Sequence, residues 1–409
     1  MTALPSSPTP PTRPSRRALL RAFAAGALLV PLAACGDGAD RIPLSSVLPP
    51  TIRVHLGETP ETVTIAVPDA WEAVSTAGRP WRAEGSNLSA LASVGSAGIV
   101  LQGAATGADT IRLHPASAFS LQLGGERLAY RGDLLIHRKG SRLVLVNEVD
   151  LETYVAGVIV NEIGDAQADS AYRAQSVVAR SYAYSRWRAG PDAMFHVYDT
   201  QSSQVYRGVS LPARAAVTYG DLEKRTAETR GVILTWRGEP FPTYYASTCG
   251  GHTTQPVTAQ LDPGGATEPL SGVPCVYCTT SKYFTWTETV PVSKLLDALK
   301  PRGVVAPLKA IEDTKIGRGG WVGEVTVTFG TGRTQVVPGS DFRTAAGLRS
   351  MNVELPVPTA NGTLVFKGKG WGHGVGMCQV GCQEMARKGY AADQILRYYY
   401  PGAEFTRLY

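Results

Sequence analysis

The sequence has little of what marks membrane-spanning or nucleic-acid-binding proteins. The apolar segment Ala22 to Leu32 is too short to cross a bilayer of roughly 30 Å as a stable helix. No internal repeat is visible in the 409 residues. The formal net charge of +6 depends on four arginines in the first 21 residues, and without them 36 basic residues face 34 acidic ones. We therefore expect no permanent transmembrane anchor and no nucleic-acid partner.

The beginning of the chain has the pattern of an export signal. Four arginines with no acid precede the apolar segment, and small residues lead into Cys35. "SRRALLR" resembles a twin-arginine signal, and "LAAC" resembles the lipobox of bacterial lipoproteins. We expect residues 1–34 to be a signal peptide, Cys35 to carry a lipid, and residues 35–50 to form a tether. The alternative for Cys35 is an ordinary thiol inside a cleaved signal.

The remaining chain predicts an α+β fold. With 44% hydrophobic residues, the composition is that of a globular protein with ample core. Short runs of alternating polarity, such as "IRVHL", "VTIAV" and "RLVLVN", predict many short strands over residues 51–147. Helical periodicity then begins, and residues 148–409 mix helices and strands. A second helix is expected in "SAYRAQSVVARSYAYSRW", and a further helix is expected from about Cys378. Hairpins are expected in "YDTQSSQVYRG" and "RGVILTWRGEPF". We expect the two parts to form the walls of a cleft.

The stretch "YVAGVIVNEIGD" places a carboxylate at the end of an apolar helix. Asp150 is the expected N-cap and Gly164 the expected end, so Glu162 lies on the apolar face in the last turn. Desolvation and the negative end of the helix dipole both raise the pKa of a carboxyl there. A carboxyl that stays protonated near neutral pH suits general acid catalysis at a glycosidic oxygen. Taken alone, however, a glutamate at a helix end is most often without function.

Cysteine is scarce, and its spacing favours a metal site. Five cysteines follow Cys35, and this odd number in an exported protein argues against a simple disulfide ladder. Cys249 and His252 form one pair of potential ligands, and Cys275 and Cys278 form a second pair after 22 intervening residues. Such a set suits a structural zinc ion. Cys378 is an alternative fourth ligand to His252, and a disulfide or redox pair of Cys275 with Cys278 is the alternative to metal; no role is assigned to Cys382.

The segment "GKGWGHGVGMCQ" is rich in glycine but is not a phosphate-binding loop. It lacks the Lys and Ser/Thr that close a Walker sequence. Its glycines alternate with Lys369, Trp371, His373 and Val375, which predicts an extended chain with one side open to a ligand. A loop histidine bonded within the protein is the alternative for His373.

Four blocks together resemble the SpoIID/LytB family of bacterial cell-wall proteins. They are "VNEVDLETYVAGVIVNEIGDAQADSAYRAQSVVARSYAYSRW", "YDTQSSQVYRG", "YYASTCGGHT" and "GKGWGHGVGMCQVGCQEMARKGYAADQILRYYYPG". The resemblance implies a lytic transglycosylase, a lyase that acts on peptidoglycan glycan strands, with Glu162 as its catalytic acid and base. The Met and Pro that usually follow this glutamate are Ile163 and Gly164 here.

The resemblance also implies further site residues and a mechanism. Glu162 would protonate the bridging oxygen and then accept a proton from the 6-hydroxyl of muramic acid, which gives a 1,6-anhydro sugar. The expected substrate-binding residues are Gln204, Tyr206, His373, Arg173 and Gln175, with Tyr206 stacking on a sugar. Arg180 is a further candidate, and a solvated or salt-bridged face is the alternative for Arg173, Gln175 and Arg180 on the second helix.

Two other functions stay open from the sequence. The LytB side of the family suggests a non-catalytic cell-wall protein that enhances an amidase. A zinc hydrolase would need an open position among the metal ligands. The expected partners are glycan strands, a membrane reached through the lipid anchor and, if the protein is an enhancer, an amidase. The expected location is outside the cytoplasm, facing the periplasm or cell wall.

Overall fold

The computed structural model describes residues 48–409 except 61, 124, 165–166, 213–214, 306 and 357–361. The predicted signal peptide and the lipidation site Cys35 lie outside the described residues. Within the described ranges, no helix is both long enough and apolar enough to cross a membrane.

The predicted strand-rich part is a single large sheet of eleven strands, which confirms the expectation for this region. Its main path runs β11-β1-β10-β9-β6-β2-β3-β4-β5, with β7 beside β2 and β8 beside β7. Neighbours are antiparallel except for β11, which runs parallel to β1. The strands are β1 Thr51–Thr59, β2 Val63–Gly78, β3 Arg82–Gly95, β4 Gly98–Leu101, β5 Ala104–Ala105, β6 Ala108–Pro115, β7 Phe119–Leu123, β8 Glu126–Tyr130, β9 Asp133–Lys139, β10 Arg142–Asp150 and β11 Val197–Tyr198.

Helices α1 Leu151–Ile163 and α2 Asp169–Ala189 pack beside this sheet, and α3 Tyr219–Ala227 packs against both of them. The predicted N-cap of α1 is confirmed, because the Asp150 carboxylate accepts hydrogen bonds from the amides of Glu152 and Thr153, each at 3.0 Å. The predicted end is also confirmed: Gly164 has a φ of 78°, which glycine adopts without strain. Most of α1 is buried, so the sequence between these two signals forms a core helix.

Smaller elements complete the main body, by which we mean the described residues outside 285–369. They are α4 Pro256–Ala259, α7 Gln379–Arg387, α8 Ala392–Tyr399, a sheet of β12 Val232–Trp236, β13 Glu239–Pro240 and β22 Glu404–Arg407, and a parallel pair of β14 Tyr245–Ala246 with β21 Met377–Cys378. The hairpin expected in "RGVILTWRGEPF" is confirmed as β12 and β13, and α7 begins behind Cys378 as expected. The hairpin expected in "YDTQSSQVYRG" is wrong, because β11 pairs in parallel with β1 and turns follow it.

Residues 285–369 form an inserted subdomain with a hydrophobic core of its own, which the sequence did not predict. Buried side chains such as Trp286, Trp321, Phe342 and Phe366 make up this second core. Its elements are β15 Thr285–Pro291, α5 Val292–Leu299, β16 Leu308–Ile316, β17 Val322–Phe329, β18 Thr334–Pro338, α6 Gly339–Ala346, β19 Val353–Glu354 and β20 Thr363–Lys369. Strands β15 and β20, which pair with each other, connect it to the main body.

Candidate functional site

A cleft of about 310 Å³ opens at the last turn of α1, where Glu162 lies. Its walls come from α1, from the loop after β11, from β14, from the glycine-rich segment and from α6 of the inserted subdomain. The lining residues are Asn161, Glu162, Gln201, Ser203, Val205, Tyr245, Ala246, Ser247, Arg343, Trp371, Gly372, His373 and Gln379. Glu162 is the single carboxylate among these described lining residues.

Glu162 is held by three hydrogen-bond donors. The amide of Val205 donates to Oε1 at 2.7 Å, and Nε2 of Gln379 donates to Oε2 at 3.3 Å. The hydroxyl of Tyr245 also hydrogen-bonds to the carboxyl. Burial nevertheless raises the pKa of Glu162, because desolvation outweighs these three donors. The predicted direction of the pKa shift is thus confirmed, with burial as its cause.

A chain of buried polar side chains orients the Tyr245 hydroxyl. Tyr154 donates its hydroxyl proton to Oε1 of Gln204 at 3.0 Å, which fixes the orientation of the Gln204 amide. Nε2 of Gln204 then donates to the Tyr245 oxygen at 3.0 Å. With its oxygen occupied as an acceptor, Tyr245 can direct its own proton at Glu162. Gln204 is completely buried, so it acts on Glu162 through Tyr245 and does not contact a substrate directly.

Tyr206 lies in the core, which corrects the expectation that it stacks on a sugar. Only 1% of its side chain is exposed, its hydroxyl donates to Oδ1 of Asn147 at 2.8 Å, and its ring packs against Tyr154. Gly157 of α1 makes this approach possible, because a Cβ there would lie 2.7 Å from the Tyr206 ring. Packing of Tyr206 against α1 therefore holds the loop after β11 in place and positions the Val205 amide at Glu162.

His373 lines the cleft as a neutral imidazole. Its Nδ1 accepts a hydrogen bond from the amide of Val375 at 3.1 Å, and its ring meets the Tyr244 ring edge to face. Burial and the nearby Arg343 charge lower the pKa of His373 to about 4. Its position in the same cleft as Glu162 agrees with the expected site, while contact with substrate stays a prediction.

From Gly370 to Gly376 the glycine-rich segment is not extended, which corrects the interpretation of its alternation. Gly370, Gly372, Gly374 and Gly376 all have positive φ. These glycines allow close packing within the protein, as at Gly376, where a Cβ would lie 1.9 Å from the Tyr244 carbonyl oxygen. The segment therefore wraps tightly around residues 244–248 and presents Trp371 and His373 at the cleft.

The candidates on α2 do not line this cleft. Arg180 is completely buried and forms a two-point ion pair with Glu152, at 2.9 and 2.6 Å, so the salt-bridged alternative is correct for it. Gln175 is also completely buried, and Arg173 pairs with Glu228. Burial of Arg180 and Gln175 corrects the expectation that these two residues contact substrate, and Arg173 is not among the residues that line the cleft.

Most residues that line the cleft were not predicted as site residues from the sequence, among them Tyr245, Gln379, Trp371 and Arg343. The first three belong to the motif blocks quoted above, so the sequence contained a signal for them. Trp371 is 36% exposed and forms an exposed aromatic wall together with Tyr283, whose ring centroid is 4.3 Å away. Arg343 lies in the inserted subdomain and carried no motif.

Four buried cysteines converge behind the cleft. The Sγ atoms of Cys249, Cys275, Cys278 and Cys378 all lie within 4.8 Å of one another. Cys249 Sγ and Cys278 Sγ are 3.6 Å apart, close to the sulfur separation of about 3.8 Å in a tetrahedron with zinc–sulfur bonds of about 2.3 Å. The donor set therefore fits a zinc ion with four thiolate ligands.

The geometry replaces His252, the expected fourth ligand, by the alternative Cys378. The imidazole of His252 is not in the cluster, and its Nδ1 lies 2.6 Å from the carbonyl oxygen of Thr253. Cys378 instead caps α7, since the amide of Gly381 donates to its sulfur at 3.4 Å. The sequence could not show this, because Cys378 is 100 residues or more from the other ligands. Cys382, also buried, is not in the cluster.

The cluster lies directly beside the groups that hold Glu162. Cys249 follows β14, which contains Tyr245, and Cys378 immediately precedes Gln379. The pairing of β14 with β21 sets Tyr245 opposite Met377 and Ala246 opposite Cys378. A metal at the four thiols would therefore fix the relative positions of two donors to the Glu162 carboxyl.

Comparisons with known proteins identify the family of the chain. The family described as SpoIID, stage II sporulation protein, matches residues 139–236. Stage II sporulation protein D of Bacillus subtilis is 30% identical over 275 residues, covering 64% of this chain and 76% of that protein. The Bacillus amyloliquefaciens protein of the same name is 31% identical over 281 residues, with 64% and 75% covered. The amidase enhancer of Bacillus subtilis is 25% identical over 304 residues, covering 61% of this chain and 40% of that protein. The chain therefore belongs to the SpoIID family of bacterial cell-wall proteins.

Proposed function

We propose that the protein is a lytic transglycosylase that cleaves peptidoglycan glycan strands and uses Glu162 as its single acid and base. The supporting observation is one partly buried carboxyl of raised pKa in a cleft whose described lining contains no second carboxylate. Ordinary glycoside hydrolysis employs two carboxyl groups, one of which activates water or attacks the sugar. A single carboxyl suffices when the nucleophile is a hydroxyl of the substrate itself.

The hydrogen bonds of Glu162 divide the work between its two oxygens. Oε1 accepts the short bond from the Val205 amide, so Oε2, with the longer bond to Gln379, carries the transferable proton. Donation of this proton to the bridging oxygen leaves a carboxylate that the three donors stabilise. The carboxylate then takes the proton of the 6-hydroxyl of muramic acid as that oxygen closes on C1. The proton balance is restored, and no water is consumed.

The products decide between this reaction and hydrolysis. Purified glycan strands, with and without stem peptides, are incubated with the full mature protein and the fragments analysed by mass spectrometry. We expect ends with a 1,6-anhydro sugar, lighter by one water than hydrolysed ends. Reducing ends would identify a hydrolase instead and overturn the proposal.

The four-cysteine cluster is proposed to hold one structural zinc ion. All four positions of a tetrahedral site are supplied by thiolates, so the ion has no open position for substrate. Its role is to hold β14 and the beginning of α7 together and thereby to keep Tyr245 and Gln379 at Glu162. A zinc-dependent hydrolysis is not supported by this donor set.

Elemental analysis of protein purified without chelator tests the zinc site. We expect one zinc per chain, loss of zinc and lower thermal stability in Cys378→Ser, and retention of zinc in the control His252→Ala. Stable, metal-free wild-type protein would contradict the site. The reverse result for the two variants would restore His252 as a ligand.

The protein is further proposed to act outside the cytoplasm as a lipoprotein attached through Cys35. This rests on the signal and lipobox patterns of residues 1–35. Cys35→Ser is expected to release the protein from the membrane fraction, and Lys in place of Arg16 and Arg17 is expected to block export. A Cys35→Ser protein that stays on the membrane would exclude lipid attachment at this residue.

A second candidate function is enhancement of a cell-wall amidase. It is favoured by the similarity to the amidase enhancer of Bacillus subtilis, of which the chain covers 40%. This role predicts stimulation of a purified amidase on intact peptidoglycan by both wild type and Glu162→Gln. Stimulation without any glycan cleavage by wild type would favour the enhancer over the transglycosylase.

A further inference from the structure

Arg343 differs from the neighbouring arginines of the inserted subdomain in having no acidic partner. Arg302 pairs with Asp341 at 2.7 Å, and Arg349 pairs with Glu288 at 2.8 Å. Across the described residues, no carboxylate lies within ion-pairing distance of Arg343. Its Nε donates to the carbonyl oxygen of Leu348 at 3.3 Å. The guanidinium is therefore oriented by the protein while its charge is left uncompensated.

Arg343 is also the sole residue of the inserted subdomain among the described residues that line the Glu162 cleft. It is partly buried, and burial lowers its pKa because no acid offsets the desolvation. Placing a cation in such a position is costly unless an anion joins it. Glu162 does not serve as that anion, since its hydrogen-bond partners are Val205, Gln379 and Tyr245.

We propose that Arg343 is a substrate-binding residue that recognises a carboxylate of the glycan strand. The proposal rests on the glycan substrate of the proposed function and adds the residue that binds the negative charge of that substrate. A guanidinium offers two parallel N–H donors to a carboxylate, which suits recognition of this group over a neutral hydroxyl. The inserted subdomain would thus contribute specificity to a cleft whose acid comes from the main body.

Two sources of this carboxylate are compatible with the cleft. Muramic acid carries a lactyl carboxylate, which is free when the stem peptide is absent, on the same sugar whose 6-hydroxyl attacks. When a stem peptide is present, that group is an amide and the carboxylates belong to the peptide. Both offer the same chemistry to Arg343, and suitable glycan substrates distinguish them.

Binding measurements with Glu162→Gln as the parent separate recognition from cleavage. Three probes of matched length are titrated by calorimetry: peptide-free strands, strands with stem peptides, and peptide-free strands whose lactyl carboxylates have been reduced to alcohols. Adding Arg343→Gln is expected to weaken binding of a carboxylate-bearing probe about 10-fold, the value of one charge-assisted hydrogen bond. Binding of the reduced strands is expected to stay unchanged. Arg302→Gln, which removes an exposed charge from the same subdomain, is the matched control and should bind all probes like the parent.

The pattern across the probes decides the outcome. If Arg343→Gln loses affinity only for peptide-free strands, Arg343 binds the lactyl carboxylate. If it loses affinity only for peptide-bearing strands, Arg343 binds the stem carboxylates. An equal loss of affinity for the reduced strands, or no loss of affinity for any probe, would overturn the proposal. Arg343→Lys keeps the charge and is expected to bind more tightly than Arg343→Gln, which a purely structural defect would not produce. If wild type binds in this charge-dependent way but cleaves nothing, the transglycosylase fails and the carboxylate site stands.

Discussion

The two ends of α1 carry two glutamates with opposite chemical character. Glu152, in the first turn, is buried beside the completely buried Arg180, with Tyr409 and the Gly231 amide as further partners. Glu162, ten residues later, is buried against neutral donors. The pKa of Glu152 is lowered, although burial opposes this, because Arg180 stabilises its anion. The pKa of Glu162 is raised by burial.

Burial alone therefore does not create a catalytic acid. Both carboxyls are largely removed from water, and the presence of a cation decides which form is stable. Glu152 has its cation and serves to connect α1 to α2 and to the chain end at Tyr409. Glu162 has hydrogen-bond donors without a full positive charge, so a proton stays available at its carboxyl. The same helix thus supplies a structural anion at one end and a candidate acid at the other.

Replacing Glu162 by Gln gives the largest expected effect. The amide preserves shape and hydrogen bonding but cannot donate or accept the reaction's proton. Turnover of glycan strands should fall about 1,000-fold to 10,000-fold, the upper part of the range for general acid–base catalysis. The folded structure and glycan binding should be retained, as checked by circular dichroism and calorimetry. Residual turnover within tenfold of wild type would remove Glu162 as the acid.

Replacing Glu152 by Gln should affect stability and leave the chemistry intact. The change leaves Arg180 as a buried cation without its anion, which costs about 3 kcal/mol or more of unfolding free energy. Glu223→Gln, which breaks a solvent-exposed pair with Arg131, should cost less than about 1 kcal/mol and is the matched control. Urea unfolding measures both. Unfolding free energies that are equal for the two variants would contradict the distinction between the two ends of α1.

The sequence contained enough information to place Glu162 but not its partners. The cap at Asp150, the apolar spacing and Gly164 together predicted α1 and the environment of Glu162, because these signals act within one helix. The donors Val205, Tyr245 and Gln379 come from segments up to 217 residues away, and no local pattern encodes that approach. Tyr206 and Arg180 were misplaced for a related reason: polar groups predicted at a surface found partners within the core.

The zinc site and the inserted subdomain show a similar limit. The pairs around Cys249 and Cys275 were visible because ligands close in sequence have recognisable spacing. From the sequence, Cys378 could be predicted only as an alternative to His252, because its approach to the cluster depends on the pairing of β14 with β21. Strand patterns predicted parts of residues 285–369, but separate burial around Trp321 and Phe342 is a tertiary property.

Removing the Tyr245 hydroxyl should increase the difference in pKa between Glu162 and Glu152. In Tyr245→Phe, the carboxylate formed after proton donation loses one stabilising hydrogen bond, so turnover should fall about 10-fold. The loss of this donor also raises the pKa of Glu162 further. The alkaline decline in activity, where the acid loses its proton, should therefore move to higher pH. Tyr219→Phe is the control, since that hydroxyl bonds to the Thr153 carbonyl near the other end of α1; a shift of equal size there would contradict the assigned role of Tyr245.

The smallest expected effect is a difference in the sign of the pH dependence of stability at the two ends of α1. Because the folded pKa of Glu162 is raised, the native state holds its proton more tightly than the unfolded chain, so this residue lowers stability as pH rises from the ordinary carboxyl pKa through the raised value. Glu162→Gln should therefore be more stable than wild type at neutral pH, and the difference should vanish in acid.

The folded pKa of Glu152 is lowered, so its contribution is fully present above the ordinary carboxyl pKa and is lost as pH falls through the folded value. The deficit of Glu152→Gln should accordingly be largest at neutral pH and shrink in acid. Urea unfolding of wild type and both variants from about pH 8 to about pH 3 measures these differences. A Glu162→Gln curve parallel to that of wild type would mean that the carboxyl titrates normally, and the contrast between the two ends of the helix would be lost.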